Sequence, residues 1–529
     1  MSNPDFDVII IGSGPAGVSA AFPLLEKGLK VLLVDGGAKQ STDYLKDNFL
    51  SLRGADATQS QWMIGKNYHA LQMQSAISPK LRIPGLSYAF EGFSQQNKVI
   101  GNNFISLGSL AVGGLSNAWG GGVARFSEKD LELFPFSADD LVEHYTKISK
   151  RMGISGKSID DLKEYFGVDE DAQNAIAMDV VNQDFFSRYQ SQRNKLLKNG
   201  FALGRSRVAV LNEDLNGRQA CSLSGNCLWG CAKGSIYSAT FDLEKLKQYK
   251  NFHFSSGSIV DSVMNENGFW TINTEKIGLN TKAQFSAKNI MLAAGTLATT
   301  RLALKYLIFK DRVRLLSSPT AAFIVWNYRK FGLPRTSSFG LGQLSYRVDY
   351  DENISGFGST FSSVGIPITE FAKRVPLARP LSVDVLSALL SSCVVGNLFL
   401  PGHLTKANAV LNNKDYLEIS GEYTDDVPLI MKNLETKIRK SFWNMGGLVL
   451  PSSFTLGLPG SDIHYAGTLP MASEPKLGEC SSFGELAGAA GIYVVDAACL
   501  SSLPEKSHTL TVMANAARIA THVADTLLV

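Results

Sequence analysis

The sequence predicts an α/β chain, α+β overall, in which a Rossmann-like domain is joined to a second, sheet-containing domain. Three observations predict it. The chain opens on "DVIIIGSGPAGVSAAFPLLEKGLKVLLVDGG", which reads as strand, glycine turn, helix and second strand in succession. A further strand, turn and helix unit, "AKNIMLAAGTLATTRLAL", begins at Ala287 and can return to the same sheet. Residues 311–450 are instead strand-rich and irregular, with prolines at 319, 334, 367, 376, 380 and 401. The expected division is one discontinuous domain, residues 1–310 with 450–529, carrying insertions at about 40–100 and 135–250, and a second domain over 311–449.

In the opening motif, residues 8–11 form a near-continuous apolar strand of the kind buried on both faces. Gly12, Gly14 and Gly17 follow at G-x-G-x-x-G spacing, with Pro15 and Ala16 between the last two. Gly12 permits a tight turn, Gly14 lets backbone approach a pyrophosphate, and Gly17 lets helix and strand pack closely. The phosphates then meet the free N–H groups and the positive end of a helix. Asp35 closes the second strand and is placed to accept hydrogen bonds from a ribose hydroxyl. An acid there argues against a 2′-phosphate, hence against NADP, and suits NAD and FAD equally.

Composition narrows the function class. With 51 Lys and Arg against 48 Asp and Glu, the net charge of +3 gives no electrostatic case for nucleic acid or for an anionic membrane. Charged residues make up 19% of the chain, below the roughly 25% of ordinary domains. Its 48 glycines imply many tight turns and close backbone approaches. The first residues run straight into a strand without the basic start, apolar stretch and cleavage site of a signal peptide, so the cytoplasm is the expected location. The most apolar stretch, residues 385–400, contains serines and Asn397 and is shorter than the roughly 20 residues that span a bilayer. It reads as a buried element or as a lipid-facing lid over a long substrate.

Further along, "GSLAVGGLSNAWGGGVARF" packs glycines around Trp119 and reads as backbone pressed against a flat ligand. Residues 137–153 carry a serine cap at Ser137, acids in the first turn, basic residues near the end and a closing glycine, the signals of one amphipathic helix. Strands are expected between 252 and 295, and a helix from about 510 to 527 ends the chain. Cys221, Cys227 and Cys231 follow C-x5-C-x3-C, which lacks a fourth thiolate and matches neither a zinc ribbon nor a ferredoxin run, so they read as packed thiols and no metal is expected. His464, in "DIHYAGTLPMA", is one of seven histidines, and alone it reads first as a packed ring with a hydrogen bond to backbone, ahead of ligation or catalysis.

Four segments, taken as an ordered set, resemble the glucose-methanol-choline (GMC) family of FAD-dependent oxidoreductases. They are the Gly12/Gly14/Gly17 cradle with Asp35, the turn at Gly113, Gly114, Ser116 and Asn117, the "AAGT" turn at 293–296, and the pair "HYAGTLPM" and "YVVDAACLSSLPEKSHTLTVMANAARIA". The resemblance implies FAD as cofactor and a small-molecule alcohol or sugar as substrate. It further implies that His464 is the catalytic base and that His508, 44 residues on, is its partner. It extends the cofactor contacts to Val260, Gly295, Asp496, Ala497, Thr509 and Leu510. Ala118 stands where a flavin-linking histidine follows the turn in the pyranose oxidase branch, so FAD is expected to be held noncovalently. The cysteine loop is similar to that of the bacterial sugar and polyol dehydrogenase branch.

The expected activity is oxidation of an alcohol carbon by hydride transfer to flavin N5, with a histidine accepting the hydroxyl proton. The alternatives are a flavin monooxygenase or amine oxidase on a related fold, a non-redox lyase using the same two histidines, and a noncatalytic FAD-binding subunit. The electron acceptor, whether oxygen, a quinone or a protein, has no legible signature.

Overall fold

Parallel strand pairing sets the site's position. The computed structural model describes residues 4–40, 61, 63, 65, 83–266, 268–279, 281–334, 336–363 and 375–529, so most of the expected irregular region at 40–100 lies outside the described residues. The first sheet has seven strands: Phe252–Ser256, Val31–Asp35, Phe6–Ile11, Lys282–Leu292, Phe269–Lys276 and Ser258–Glu266 in spatial order, with Ile492–Val494 also on Lys282–Leu292. The strands around Phe6–Ile11 are parallel, and Phe6–Ile11, Val31–Asp35 and Ile492–Val494 are nearly all apolar, because both faces are covered there. Their register aligns Val34, Ile11, Leu292 and Val494 in one row across the sheet. Beyond that row, on one edge, follow Asp35, Gly12, the 293–296 turn and Asp496. This carboxyl edge is where ligands bind in open α/β sheets.

Helix Pro15–Glu26 rises from that edge with Pro15 in its first turn, no side-chain cap at Gly14 and no acid in the first turn, so its leading N–H groups are left for a ligand. The closing helix, Thr509–Leu528, packs against it and is buried over most of its length.

The second large sheet also has seven strands: Leu448–Val449, Thr320–Trp326, Cys393–Phe399, Ser355–Ser362, Gly342–Asp349 and Phe201–Arg205, with Thr455–Leu456 also on Thr320–Trp326. It draws on more of the chain than 311–449, since Phe201–Arg205 and the covering helix Val180–Lys198 come from the segment expected as an insertion. Phe185 of that helix and Phe442 of helix Val427–Asn444 meet edge to face, and Phe442 also packs on Phe201, Phe323 and Tyr346 of the sheet. A five-stranded sheet, Tyr465–Ala466, Val313–Ser317, Ala407–Leu411, Leu417–Ser420 and Val99–Asn102, joins the two halves.

Two expectations change in detail. The helix after Ser137 runs Asp139–Met152 with Ala138 at its cap and no side-chain cap, while the Ser137 amide and hydroxyl both donate to the Asp140 carboxylate. The apolar stretch at 385–400 divides: its second half is the inner strand Cys393–Phe399, and its first half ends helix Arg379–Leu390, where Leu381 and Val385 remain 50% and 38% exposed. Among the described residues, no helix is long and apolar enough to cross a membrane.

The cradle glycines separate by what a methyl group would meet. A Cβ on Gly17 lands 1.9 Å from the Gly12 carbonyl oxygen, whereas one on Gly14 meets no protein atom within 4 Å. We therefore expect Gly17→Ala to lower unfolding free energy by about 2 kcal/mol or more through forced backbone movement. Gly14→Ala should stay within about 0.5 kcal/mol of wild type, because its backbone conformation suits any residue. Urea unfolding of both variants without added nucleotide checks this.

Candidate active site

The cradle is cross-linked before any ligand arrives. The Asp35 carboxylate accepts from the Ser13 amide (3.0 Å) and hydroxyl (2.6 Å) and from the Gly37 amide (2.7 Å). The Ser13 oxygen in turn accepts from the Gly113 amide at 2.9 Å. Gly113 and Gly114 have φ of 88° and 61°, a left-handed pair that carries the turn over the cradle, and a Cβ on Gly114 would lie 3.1 Å from the Gly14 Cα. Ser116 donates to the Gly113 carbonyl and Asn117 to the carbonyls of Val112 and Gly114, which fixes the turn from inside.

Opposite, Asp496 ties the 293–296 turn to the C-terminal segment. Its carboxylate accepts from the Gly295 amide (2.9 Å), the Thr299 hydroxyl and the Ala498 amide (3.0 Å). Burial raises its pKa to about 6 against these donors. Ala497 is buried beside it. Thr509 and Leu510 open the last helix, so their N–H groups have no intrahelical partner. Val260 is buried on Ser258–Glu266, just past Gly257, which abuts Gly37.

The two histidines meet above this edge. Their rings lie 5.1 Å apart at 86°, although 44 residues separate them in the chain. His464 enters from strand Tyr465–Ala466, and His508 from the loop before the last helix, where the Ser507 hydroxyl donates to the Gly122 carbonyl (2.6 Å). The His464 side chain keeps 28% exposure but is otherwise walled in. Burial lowers its pKa to about 4, and burial with the nearby His464 lowers that of His508 to about 3. Both rings are therefore neutral at physiological pH, and His508 Nδ1 is buried with no hydrogen-bond partner among the described residues. A neutral imidazole is a competent proton acceptor.

Three nearby groups had weak or no sequence signal. Phe399 sets its ring 5.1 Å from His464, where strand Cys393–Phe399 ends, and only sheet pairing puts it there. Asp462 is fully buried with a carboxylate oxygen 3.8 Å from His464 Nδ1. Glu505, three residues before His508, accepts from the Ser355 (2.8 Å) and Tyr165 (3.3 Å) hydroxyls, and an acid inside "LPEKSHT" was its one signal. Cys221, Cys227 and Cys231 line a separate cavity with Lys233. Among the described residues, no group of His, Cys, Asp and Glu is arranged to hold a metal.

Residues 6–76 match the family model described as pyridine nucleotide-disulphide oxidoreductase, and residues 459–516 match that of GMC oxidoreductase. Solved structures with the same fold include pyridoxine 4-oxidase from Mesorbium loti, at TM-score 0.61 and 14% identity over 98% of this chain and 99% of that one. Formate oxidase from Aspergillus oryzae RIB40 superposes at TM-score 0.62 and 12% identity, covering 99% of both chains. The fructose dehydrogenase large subunit of Gluconobacter japonicus is 22% identical over 249 residues, which span 44% of this chain and 42% of that subunit's length. The fold and cradle define a Rossmann-like dinucleotide-binding domain, and both family models that match the chain are of oxidoreductases. Residues 459–516 are similar to the GMC oxidoreductases. The residues fit FAD: the cradle leaves Gly14 open, the helix behind it offers free N–H groups, and the buried His508 Nδ1 beside His464 has no partner among the described residues.

The histidine shifts make a stability prediction with a definite sign. A folded pKa near 3 or 4, below the unfolded 6.5, means that the unfolded state binds more protons between those values, so the pair costs stability as pH falls from about 6.5 toward 4. The buried Asp462 and Asp496, with raised pKa values, act in the opposite direction over much of the same range. Replacing both histidines by alanine removes only the first effect, so the variant should gain on wild type between pH 7.5 and 4.5. Urea midpoints at both pH values, in one flavin state, measure it; an unchanged difference would mean that the histidines titrate normally.

Proposed function

We propose that the protein oxidises an alcohol carbon of a sugar, polyol or related small molecule to a carbonyl, with His464 as the base and His508 as its partner. The observation that carries this reading is the neutral, half-buried histidine pair at the edge where the cradle ends. FAD, when bound, supplies the hydride acceptor. Gly12, Gly14, Gly17, Asp35, Gly113, Gly114, Ser116 and Asn117 would hold its dinucleotide part, and Gly295, Asp496, Ala497, Thr509 and Leu510 the flavin end. Ala118 offers no nucleophile after the glycine turn, which supports noncovalent attachment.

In this scheme the substrate hydroxyl lies between the two imidazoles. His464 takes its proton as the carbon gives up hydride, which is worth about 10²- to 10⁴-fold in rate. His508 holds the same oxygen and spreads the developing charge. The Phe399 ring provides an apolar wall, suited to the C–H face of a sugar or to a planar ring, and its strand supports assigning the second sheet to the substrate side. The names of the similar proteins make fructose and pyridoxine the first substrates to try.

His464→Ala is expected to bind flavin as wild type does while its anaerobic reduction by substrate falls at least 10²-fold. Stopped-flow bleaching of the flavin reads both. Reduction at the wild-type rate would remove His464 from the base role, whereas loss of flavin would point to a purely structural one.

A further inference from the structure

We propose that Asp462 is a positioning residue for His464: its carboxylate fixes the imidazole with Nδ1 toward the protein interior and leaves Nε2 to face the substrate. This rests on the reading of His464 as the base. Three features of the geometry carry it. Asp462 Oδ2 lies 3.8 Å from His464 Nδ1, too long for a hydrogen bond but within ion-pair range, and such contacts tighten when substrate arrives. The carboxylate cannot swing away, because it accepts from the Ser317 hydroxyl and the Ser318 amide, both at 2.8 Å, where strand Val313–Ser317 passes toward the second sheet. Between the two residues stands Ile463 with φ of 60°, a left-handed conformation that is costly for a β-branched side chain. That backbone turn sets the side chains of residues 462 and 464 next to one another, and such strain persists only where surrounding contacts enforce it.

The His464 imidazole has no hydrogen bond to any side chain among the described residues, whereas the His464 backbone amide donates to the Asp462 carboxylate. The imidazole's ring neighbours are Phe399 and His508, so Asp462 is the acceptor on offer to a protonated Nδ1. When His464 takes a proton, the resulting imidazolium stands beside this carboxylate, which is the charge it needs in a dry site.

Burial pushes the Asp462 carboxyl up to about 7 against its serine and backbone donors, so it ionises near neutrality. The other titratable groups facing the pair are His508, Tyr423 and Tyr465, and burial raises both tyrosines beyond the range in which they could ionise near neutral pH. An acid limb near pH 7 in the rate of flavin reduction would therefore belong to Asp462, coupled to its histidine.

The test is ¹⁵N NMR of the histidine-labelled FAD holoenzyme at pH 8, with His464 assigned by its missing signal in His464→Asn. Wild type is expected to hold His464 as the Nδ1–H tautomer, and Asp462→Asn to shift it to a mixture or to Nε2–H. In flavin reduction by fructose or pyridoxine, Asp462→Asn should lose roughly 10- to 100-fold in limiting rate with KM within about twofold, and lose the limb near pH 7. Ser317→Ala, which removes one donor to the carboxylate, should move that limb to higher pH while His464 is untouched. This second variant keeps the proposal testable if Asp462→Asn fails to fold. An identical tautomer in wild type and Asp462→Asn, or a limb unmoved in Ser317→Ala, overturns the positioning role. A correct tautomer response in a protein whose His464→Ala variant still reduces flavin normally overturns the base assignment instead.

Discussion

The placement of His464, the proposed base, depends on one buried carboxylate that it never touches. Asp496 joins the 293–296 turn to the segment after Ile492–Val494. That segment is the template for the strand carrying His464: Gly467, Leu469 and Met471 donate their amides to the carbonyls of Ala497, Ala498 and Cys499. The Thr296 hydroxyl adds a bond to the Tyr465 carbonyl at 2.6 Å. Residues near 295, 465 and 497 thus form one rigid block at the carboxyl edge, and the loop bearing His508 emerges from the same block. A shift of an ångström in any of these strands would separate the imidazoles, which is why so many backbone bonds converge there.

Dryness is the second constraint. The site and its supporting edge hold two neutral imidazoles, His464 and His508, and two acids with raised pKa values, Asp462 and Asp496. Desolvation keeps the histidines free of protons and ready to accept one, at a cost in stability when the medium turns acidic. Oriented donors from Ser317, Ser318, Gly295 and Thr299 offset the same burial for the acids. Function here draws on strain and desolvation that the surrounding sheets can bear.

What the sequence makes legible follows from the range of each interaction. The cradle can be read directly because its constraints are local: Gly12 needs a positive φ of 107°, and Gly17 must let a carbonyl approach within a methyl radius. Asp35 and Asp496 are legible because each closes an apolar strand. The histidine pair emerges from the resemblance of two C-terminal segments, and not from periodicity or composition. Phe399 and Asp462 are not legible, since their placement depends on pairing between strands such as Thr320–Trp326 with Cys393–Phe399 and Val313–Ser317 with Tyr465–Ala466. For the same reason, Phe201–Arg205 joins the second sheet from a part of the chain where no local pattern announces it. At Ser137 the local signal falls one residue early, since the helix opens from Ala138.

The central claim is that this edge is built for flavin adenine dinucleotide held without a covalent bond, and the visible spectrum of the purified protein before and after acid precipitation tests it most directly. The account predicts a yellow protein, or a colourless one that becomes yellow with added FAD, whose colour passes entirely to the supernatant. A protein that takes up no flavin would contradict the cofactor assignment and with it the role of both histidines. Colour that stays in the pellet would contradict the noncovalent site.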